Sequence, residues 1–378
     1  MADKQNLVLY RKYRPETFSE IIGQEHIIQT LTNAISEKMV SHAYLFAGPR
    51  GTGKTTIARL LAKALNCLDR KEKESEPCNK CSSCLEISQG RAMDLIEIDA
   101  ASHRGIDEIR ELRDGIKFTP TKSKYKVFII DECHQLSKDA ANALLKTLEE
   151  PPSHAIFILA TTEIHKMIPT IISRCQRFDF RKLTVPEIVQ KLKFISKKEK
   201  IKIEERALIL IALNSEGSVR DAEGFLDQTL TFAGNQKEEE IKAEDIRDLL
   251  GIVEMNLVGQ FVDFLVQKDS QKAINFLNET LEKGNDPREF AKTLINYLRL
   301  TLLLKIDPDF QNPLILGLTK EERERLHGQI KNFEEKDLKH LLDLFLEAET
   351  KMRYSSITQL PLELAIIEAI DFKENSRQ

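Results

Sequence analysis

Ile27, Ile28, Leu31, Ala34 and Ile35 recur at helical spacing, and the next apolar stretch, 43–47, is unbroken. A continuous apolar run of that length is too short for a helix and reads as a strand buried on both faces. Four further runs read as strands, at 94–98, 126–130, 156–160 and 177–180. Helical patterns lie between them: 56–65, about 106–115, 139–150 stopped by Pro151-Pro152, and 168–174. Strand and helix in alternation predict an α/β core around a five-stranded parallel sheet. Beyond residue 182 no strand is convincing. The pattern gives helices at 186–200 and 204–214, one starting at Gly217, and one at 243–250. More follow at 255–267, 269–282, 287–304, 319–331, 335–353 and 361–371, with Pro308 and Pro313 marking the longest loop. The expected organisation is a core over 1–182, a small all-α unit over 183–250, an all-α third unit over 251–372 and a polar tail over 373–378.

Composition supports two or three globular domains. Of 378 residues, 41% are hydrophobic and 31% charged, enough apolar material for real cores. Lys+Arg number 56 and Asp+Glu 60, a net charge of -4, so any contact with nucleic acid has to be local. No signal-peptide pattern opens the chain, and no apolar run spans a bilayer, so a soluble cytoplasmic protein is expected. In that setting the six cysteines read as thiols or metal ligands rather than disulfides.

The first buried run feeds Gly48-Pro49-Arg50-Gly51-Thr52-Gly53-Lys54-Thr55, which fits G-x-x-x-x-G-K-[ST], and Thr56 opens a good helix former. Strand, loop and helix are the context a phosphate-binding P-loop requires. Its glycines let backbone N–H groups wrap phosphate oxygens at a helix N-terminus. Lys54 then reaches the β- and γ-phosphates and Thr55 holds Mg²⁺. The third run ends in Asp131-Glu132. An apolar strand delivering two acids some 75 residues after a P-loop is the Walker B arrangement: Asp131 for Mg²⁺, Glu132 to deprotonate water. Thr161 and Thr162 end the fourth run, at the sheet edge where ligands gather, and a hydroxyl there can orient water or sense a phosphate. Cys133 reads as packing and His134 as a hydrogen-bonded structural residue. The basic stretch Tyr10 to Pro15 fits a contact to nucleotide or neighbour as well as it fits a solvated arm.

Cys67, Cys78, Cys81 and Cys84 interrupt the α/β rhythm as C-x10-C-x2-C-x2-C. Four thiolates at that spacing can close a tetrahedral Zn²⁺ site over 67–84, and the metal replaces the core that this polar loop lacks.

These motifs together resemble the ATPase subunits, gamma and tau, of bacterial DNA polymerase III clamp loaders, within the AAA+ superfamily. Tyr13-Arg14-Pro15, Ile22 to His26, Gly48 to Thr55, the four cysteines, Glu97 to Ser102 and Ile130-Asp131-Glu132 carry the match. So do Leu144 to Pro152, Ala160-Thr161-Thr162, Ser173-Arg174-Cys175 and Gly217 to Ala222. The match is dense over about 10–232 and mostly architectural beyond 250. It implies ATP, Mg²⁺ and Zn²⁺ as ligands, with Thr162 at the sensor-1 position and Arg220 at sensor 2. Arg174 takes the place of an arginine finger acting in trans on a neighbour. It further implies a helical lid and a helical collar in a five-subunit ring with delta, delta-prime and further copies of the chain. That ring opens a sliding clamp with ATP and loads it on primed template DNA. Tau-type C-terminal domains are not expected, because the chain stops at Gln378. By position, Arg110 is the expected DNA contact, with Arg104 and Lys146 as helpers. The alternatives within reach of the same residues are an AAA+ branch-migration motor and an inert AAA+ scaffold. Intact Lys54, Asp131 and Glu132 argue against the scaffold, and the cysteine insert and helical tail against the motor.

Overall fold

A computed structural model of the protein describes residues 7–102, 115, 116, 118–233, 240–310, 315 and 318–375. Arg104 and Arg110 lie outside the described residues, as does most of the expected helix over 106–115. The chain forms two compact units, Met1–Glu199 with Asn214–Gln228, and Lys200–Leu213 with Thr229–Gln378.

The first unit opens with a short helix α1 (Leu9–Lys12) and a longer α2 (Glu25–Ser36), followed by β1 (Ala43–Ala47) and α3 (Lys54–Leu65). The cysteine insert then carries a helix absent from the sequence reading, α4 (Ser82–Ser88). Its N-cap is Cys81, whose sulfur accepts from the Cys84 N–H, a capping signal that thiols rarely give. Next come β2 (Leu95–Asp99), β3 (Lys126–Asp131), α5 (Lys138–Glu149), β4 (Ala155–Thr161), α6 (Pro169–Ile172) and β5 (Gln176–Asp179). The strands are all parallel, in the order β2-β3-β4-β1-β5.

β1 and β4 are buried at every position, which is why their sequences run apolar without alternation. Their side chains still alternate in space. Tyr44, Phe46, Ile156 and Ile158 enter one core with Ile27, Leu31, Ile57 and Leu61 of α2 and α3. Leu45, Phe157 and Leu159 enter the other with Phe128, Leu144 and Leu148, under α5. Phe128 and Phe157 stack there with ring centroids 5.2 Å apart. With both faces packed, ligands of such a sheet gather at its C-terminal edge. The register places Ala47 beside Thr161 and Asp99 beside Asp131, so the P-loop and both acids emerge on that edge. In β5, at the sheet border, only Phe178 is buried.

The helical part comprises α7 (Val185–Glu199), α8 (Glu205–Asn214), α9 (Val219–Ala233) and α10 (Ala243–Leu250). It continues with α11 (Met255–Gln267), α12 (Ser270–Glu282), α13 (Pro287–Ile306), α14 (Lys320–Ile330), α15 (Glu335–Met352) and α16 (Leu360–Asn375). α7, and α9 as far as Gln228, belong to the first unit. In the second unit, Phe261, Phe290, Leu294, Tyr297, Phe345 and Ile366 form the centre of one core. Helix starts there follow their sequence signals. Asp286 caps α13 by accepting from the Arg288 and Glu289 N–H groups ahead of Pro287. Thr319 and Glu322 make a capping box on α14. Among the described residues no single helix is long and apolar enough to cross a membrane.

Candidate nucleotide site and four-cysteine cluster

The P-loop folds as its glycines require. Gly51 and Gly53 take φ of +74° and +100°, in the left-handed region where a Cβ is strained. At Gly51 the constraint is also steric, since a Cβ would sit 1.9 Å from Ser218 Oγ. The Val219 N–H donates to the Gly51 carbonyl at 3.1 Å, which ties the start of α9 to the loop. Lys54, 6% exposed, donates to the Gly48 and Pro49 carbonyls at 2.7 and 2.8 Å. Burial pulls the ammonium's pKa down, while Glu132 and Asp131 push it back up. Thr52 is buried and its hydroxyl donates to the Pro49 carbonyl.

The acids meet the loop directly. Thr55 Oγ1 donates to Asp131 Oδ2 at 2.7 Å, across a sequence separation of 76 residues. A hydroxyl and a carboxylate so placed are an oxygen pair suited to Mg²⁺. Glu132 has φ +46°, a left-handed turn at the end of β3. Its Oε2 accepts from Thr162 Oγ1 at 2.7 Å and from the Thr162 N–H at 3.3 Å. His134 lies just behind, with Nδ1 2.9 Å from Thr161 Oγ1 and 3.4 Å from Glu132 Oε2. Its other ring nitrogen is 3.5 Å from Glu163, so the ring is wedged between two carboxylates and a threonine.

A cavity of about 310 Å³ opens onto these groups. It is lined by Arg50, Gly51, Thr52, Gly53, Lys54, Thr55 and Thr56 of the P-loop and α3 and by the strand-end acids Asp99, Asp131 and Glu132. The rest comes from Tyr10, Arg14, Pro15, Glu20, Ile21, Ile22, Leu183, Lys191, Val219, Arg220 and Glu223. Arg220 enters this wall with its guanidinium 5.0 Å from the centre of the Tyr10 ring. Thr162 and Arg174 are not in the lining. Arg174 instead pairs with Glu149 at 2.6 Å and donates to the Thr170 carbonyl at 2.8 Å. Lys146 is exposed on α5.

Among the lining groups that gave no sequence signal are two buried charged side chains. Lys191 and Glu223 sit on amphipathic helices, both almost fully buried, 3.8 Å apart. Burial pushes the Glu223 carboxyl up to about 7 despite the neighbouring Lys191. Lys191 also donates to the Tyr13 carbonyl at 3.1 Å. The ambiguous basic stretch at 10–15 thus proves to be part of the cavity wall.

The sulfurs of Cys67, Cys78, Cys81 and Cys84 all lie within 4.8 Å of one another. Tetrahedral Zn–S bonds of about 2.3 Å put sulfurs about 3.8 Å apart, so the cluster fits one zinc ion. Backbone N–H groups point at three of these sulfurs. The Cys78 N–H points at the Cys67 sulfur, the Lys80 and Cys81 N–H groups at that of Cys78, and the Cys84 N–H at that of Cys81. Burial works against ionisation of Cys78, yet the Lys80 and Cys81 N–H groups, with the Cys67 and Cys81 thiols, bring its thiol down to about 7, whereas burial pushes the Cys67 and Cys84 thiols up.

Three families match successive parts of the chain. Residues 23–184 match the DNA polymerase III delta subunit family. Residues 187–235 match the ATPase lid domain of the DNA polymerase III clamp loader subunit, and 241–377 match domain III of DNA polymerase III subunits gamma and tau. DNA polymerase III subunit tau of Bacillus subtilis (strain 168) is 44% identical over 360 residues, 95% of this chain and 62% of its own length. Subunit tau of Escherichia coli (strain K12) is 36% identical over 366 residues, 97% of this chain and 55% of its own length. Subunit gamma of Buchnera aphidicola subsp. Acyrthosiphon pisum (strain APS) is 36% identical over 365 residues, 96% of this chain and 98% of its own length. The chain therefore spans less than two thirds of the length of these two tau relatives.

Proposed function

This chain belongs to the gamma/tau family of DNA polymerase III clamp-loader subunits, AAA+ proteins, and from that premise we propose that it is an ATP-driven motor of clamp loading. The observation that carries the reading is the direct meeting of Thr55 and Asp131 at the mouth of a P-loop cavity, with Glu132 beside them. ATP binds with its phosphates in the loop 48–56 and its base toward the apolar wall of Ile21, Ile22, Leu183 and Val219. Lys54 exchanges two neutral carbonyl partners for anionic phosphate oxygens, a charge-assisted gain. Thr55 and Asp131 hold Mg²⁺, which neutralises charge on the phosphates. Glu132 takes the proton of the attacking water, and Thr162 keeps its carboxylate oriented. Arg220 leaves the Tyr10 ring to reach the γ-phosphate from the same chain.

Arg174 acts in trans. It lies outside its own cavity, on the edge of the first unit, where its guanidinium can exchange Glu149 for a neighbour's phosphate. The four cysteines hold a structural Zn²⁺. The division 1–182, 183–250 and 251–372 corresponds to core, lid and collar. The collar assembles a five-subunit ring with delta, delta-prime and further copies of the chain, in the cytoplasm. The ring opens the sliding clamp on ATP binding and releases it on primed template DNA, with Lys146 among the candidate phosphate contacts.

ATP turnover by the assembled loader tests the reading. Sliding clamp and primed DNA together should raise turnover at least tenfold over the loader alone, and Lys54→Ala should remove that increase. Turnover indifferent to both additions would refute it. Metal analysis of the purified chain should find one zinc per polypeptide, and none would refute the zinc assignment.

A further inference from the structure

The cysteine cluster is built against the segment that closes the nucleotide cavity. That segment, 16–20, links one set of lining residues, Arg14 and Pro15, to the next, Glu20 and Ile21. Its backbone is held from the insert. The Phe18 and Ser19 N–H groups both donate to the Glu76 carboxylate at 2.8 Å, and the Glu16 carbonyl accepts from Asn79 Nδ2 at 3.1 Å. Asn79 sits between Cys78 and Cys81 at φ +59°, a left-handed conformation that Asn tolerates better than most residues. Its Oδ1 accepts from Lys63 at 2.8 Å, and Lys63 is buried near the end of α3, the helix that begins at the P-loop. Glu76 precedes Cys78 by two residues. One short turn therefore grips both the cavity's strap and the phosphate-binding helix, through two side chains that do not line the cavity.

The position of that turn depends on the four sulfurs sharing one partner. Helix α4 has its own anchor in buried Cys84 and Ile87, whereas the stretch 69–76 before Cys78 is polar, so a ligand shared by all four sulfurs fixes Glu76 and Asn79 relative to α4. We infer that Glu76 and Asn79 are positioning residues for the nucleotide site, making the cysteine module a clasp on segment 16–20 that couples metal retention to nucleotide binding. The coupling is reciprocal by thermodynamic necessity: whatever factor metal adds to nucleotide affinity, nucleotide adds to metal affinity. This inference rests on the reading of the cavity as an ATP site and of the cluster as a zinc site.

The test uses the full chain, with a fluorescent ADP analogue for affinity and a chromogenic chelator for zinc release. MgADP should raise the parent's zinc affinity, read from the fraction of zinc released to the chelator at equilibrium, by about 5–150-fold, the usual range of coupling between sites. Glu76→Gln removes the charged acceptor, and Asn79→Asp keeps the turn geometry but loses the donor to Glu16. Both should keep zinc and parental far-UV circular dichroism, bind the analogue more weakly by a similar factor, and lose the effect of MgADP on zinc release. Glu74→Gln, an exposed change in the same loop, should match the parent. Unchanged analogue affinity in Glu76→Gln and Asn79→Asp, or equilibrium zinc release lowered equally by MgADP in parent and variants, overturns the clasp alone. A parent that carries no zinc, or binds no analogue, overturns the underlying site reading and the clasp with it.

Discussion

Replacing Glu132 by Gln separates the seat of the side chain from its chemistry. The carboxylate is held by two donors on one oxygen, Thr162 Oγ1 at 2.7 Å and the Thr162 N–H at 3.3 Å. A Gln carbonyl oxygen can accept both, so the side chain keeps its place at the end of β3. Exchanging a charged acceptor for a neutral one costs about 1 kcal/mol of stability at most, and less here because the side chain is 28% exposed. Thr55 and Asp131 are untouched, so affinity for MgATP should stay within about threefold of the parent, roughly 0.7 kcal/mol. The proton acceptor is gone, however. General-base catalysis contributes about 10²–10⁴-fold, so the single-turnover hydrolysis rate should fall by that factor, about 3–5 kcal/mol of barrier. Rapid-quench hydrolysis under enzyme excess, with a separate binding titration, reads the two quantities independently. Parental hydrolysis with parental affinity would refute the role of Glu132. Loss of affinity in step with rate would refute the claim that Thr162 preserves the seat.

Arg174→Ala should leave ATP affinity of the isolated subunit unchanged and, in mixed rings, silence the site facing the mutated edge, an effect of about 10³–10⁵ in rate. Activity lost at the mutant's own site would overturn the trans assignment. Gly51→Ala adds a Cβ at φ +74°, a strain of about 1–2 kcal/mol, and drives it into Ser218 Oγ. Nucleotide affinity should fall at least tenfold, with partial recovery in Gly51→Ala/Ser218→Gly. Absence of recovery would show that the clash is not the cause. Glu223, with its carboxyl raised to about 7, contributes stability that is full below the unfolded-state value of about 4.3 and is lost as pH rises through about 7. The Tm of Glu223→Gln relative to the parent should therefore climb between pH 5 and 8, and a difference independent of pH would refute the account of this group.

What the sequence made legible was local and periodic. Fully buried strands such as Ala43–Ala47 read as continuous apolar runs, and the P-loop, the two acids and the cysteine spacing are contiguous motifs. The expected helix at 168–174 shrinks to Pro169–Ile172: Ser173 still donates to the Pro169 carbonyl four residues back, and the bonds then tighten to three-residue steps, Arg174 to Ile171 and Cys175 to Ile172. The helix Ser82–Ser88 went unseen, since its start depends on a cysteine cap. Non-local chemistry was not legible at all. Glu76 reads as one acid in a charged loop until Phe18 and Ser19 are laid against it. Lys191 and Glu223 read as the polar sides of two helices, although each is buried at the cavity. The pairing of Arg174 with Glu149 likewise joins residues 25 positions apart, across an intervening strand.

The central claim, that ATP bound in this chain drives clamp loading, is tested most directly by counting clamps left on DNA. A loader reconstituted with this chain, a labelled sliding clamp and primed circular DNA should leave closed clamps on the circles when ATP is supplied. With Lys54→Ala in every copy of the chain, no clamps should remain. With Glu132→Gln and ATP, clamps should be held by the loader and not released as closed rings. Clamps loaded equally by the parent and by Lys54→Ala would contradict the account.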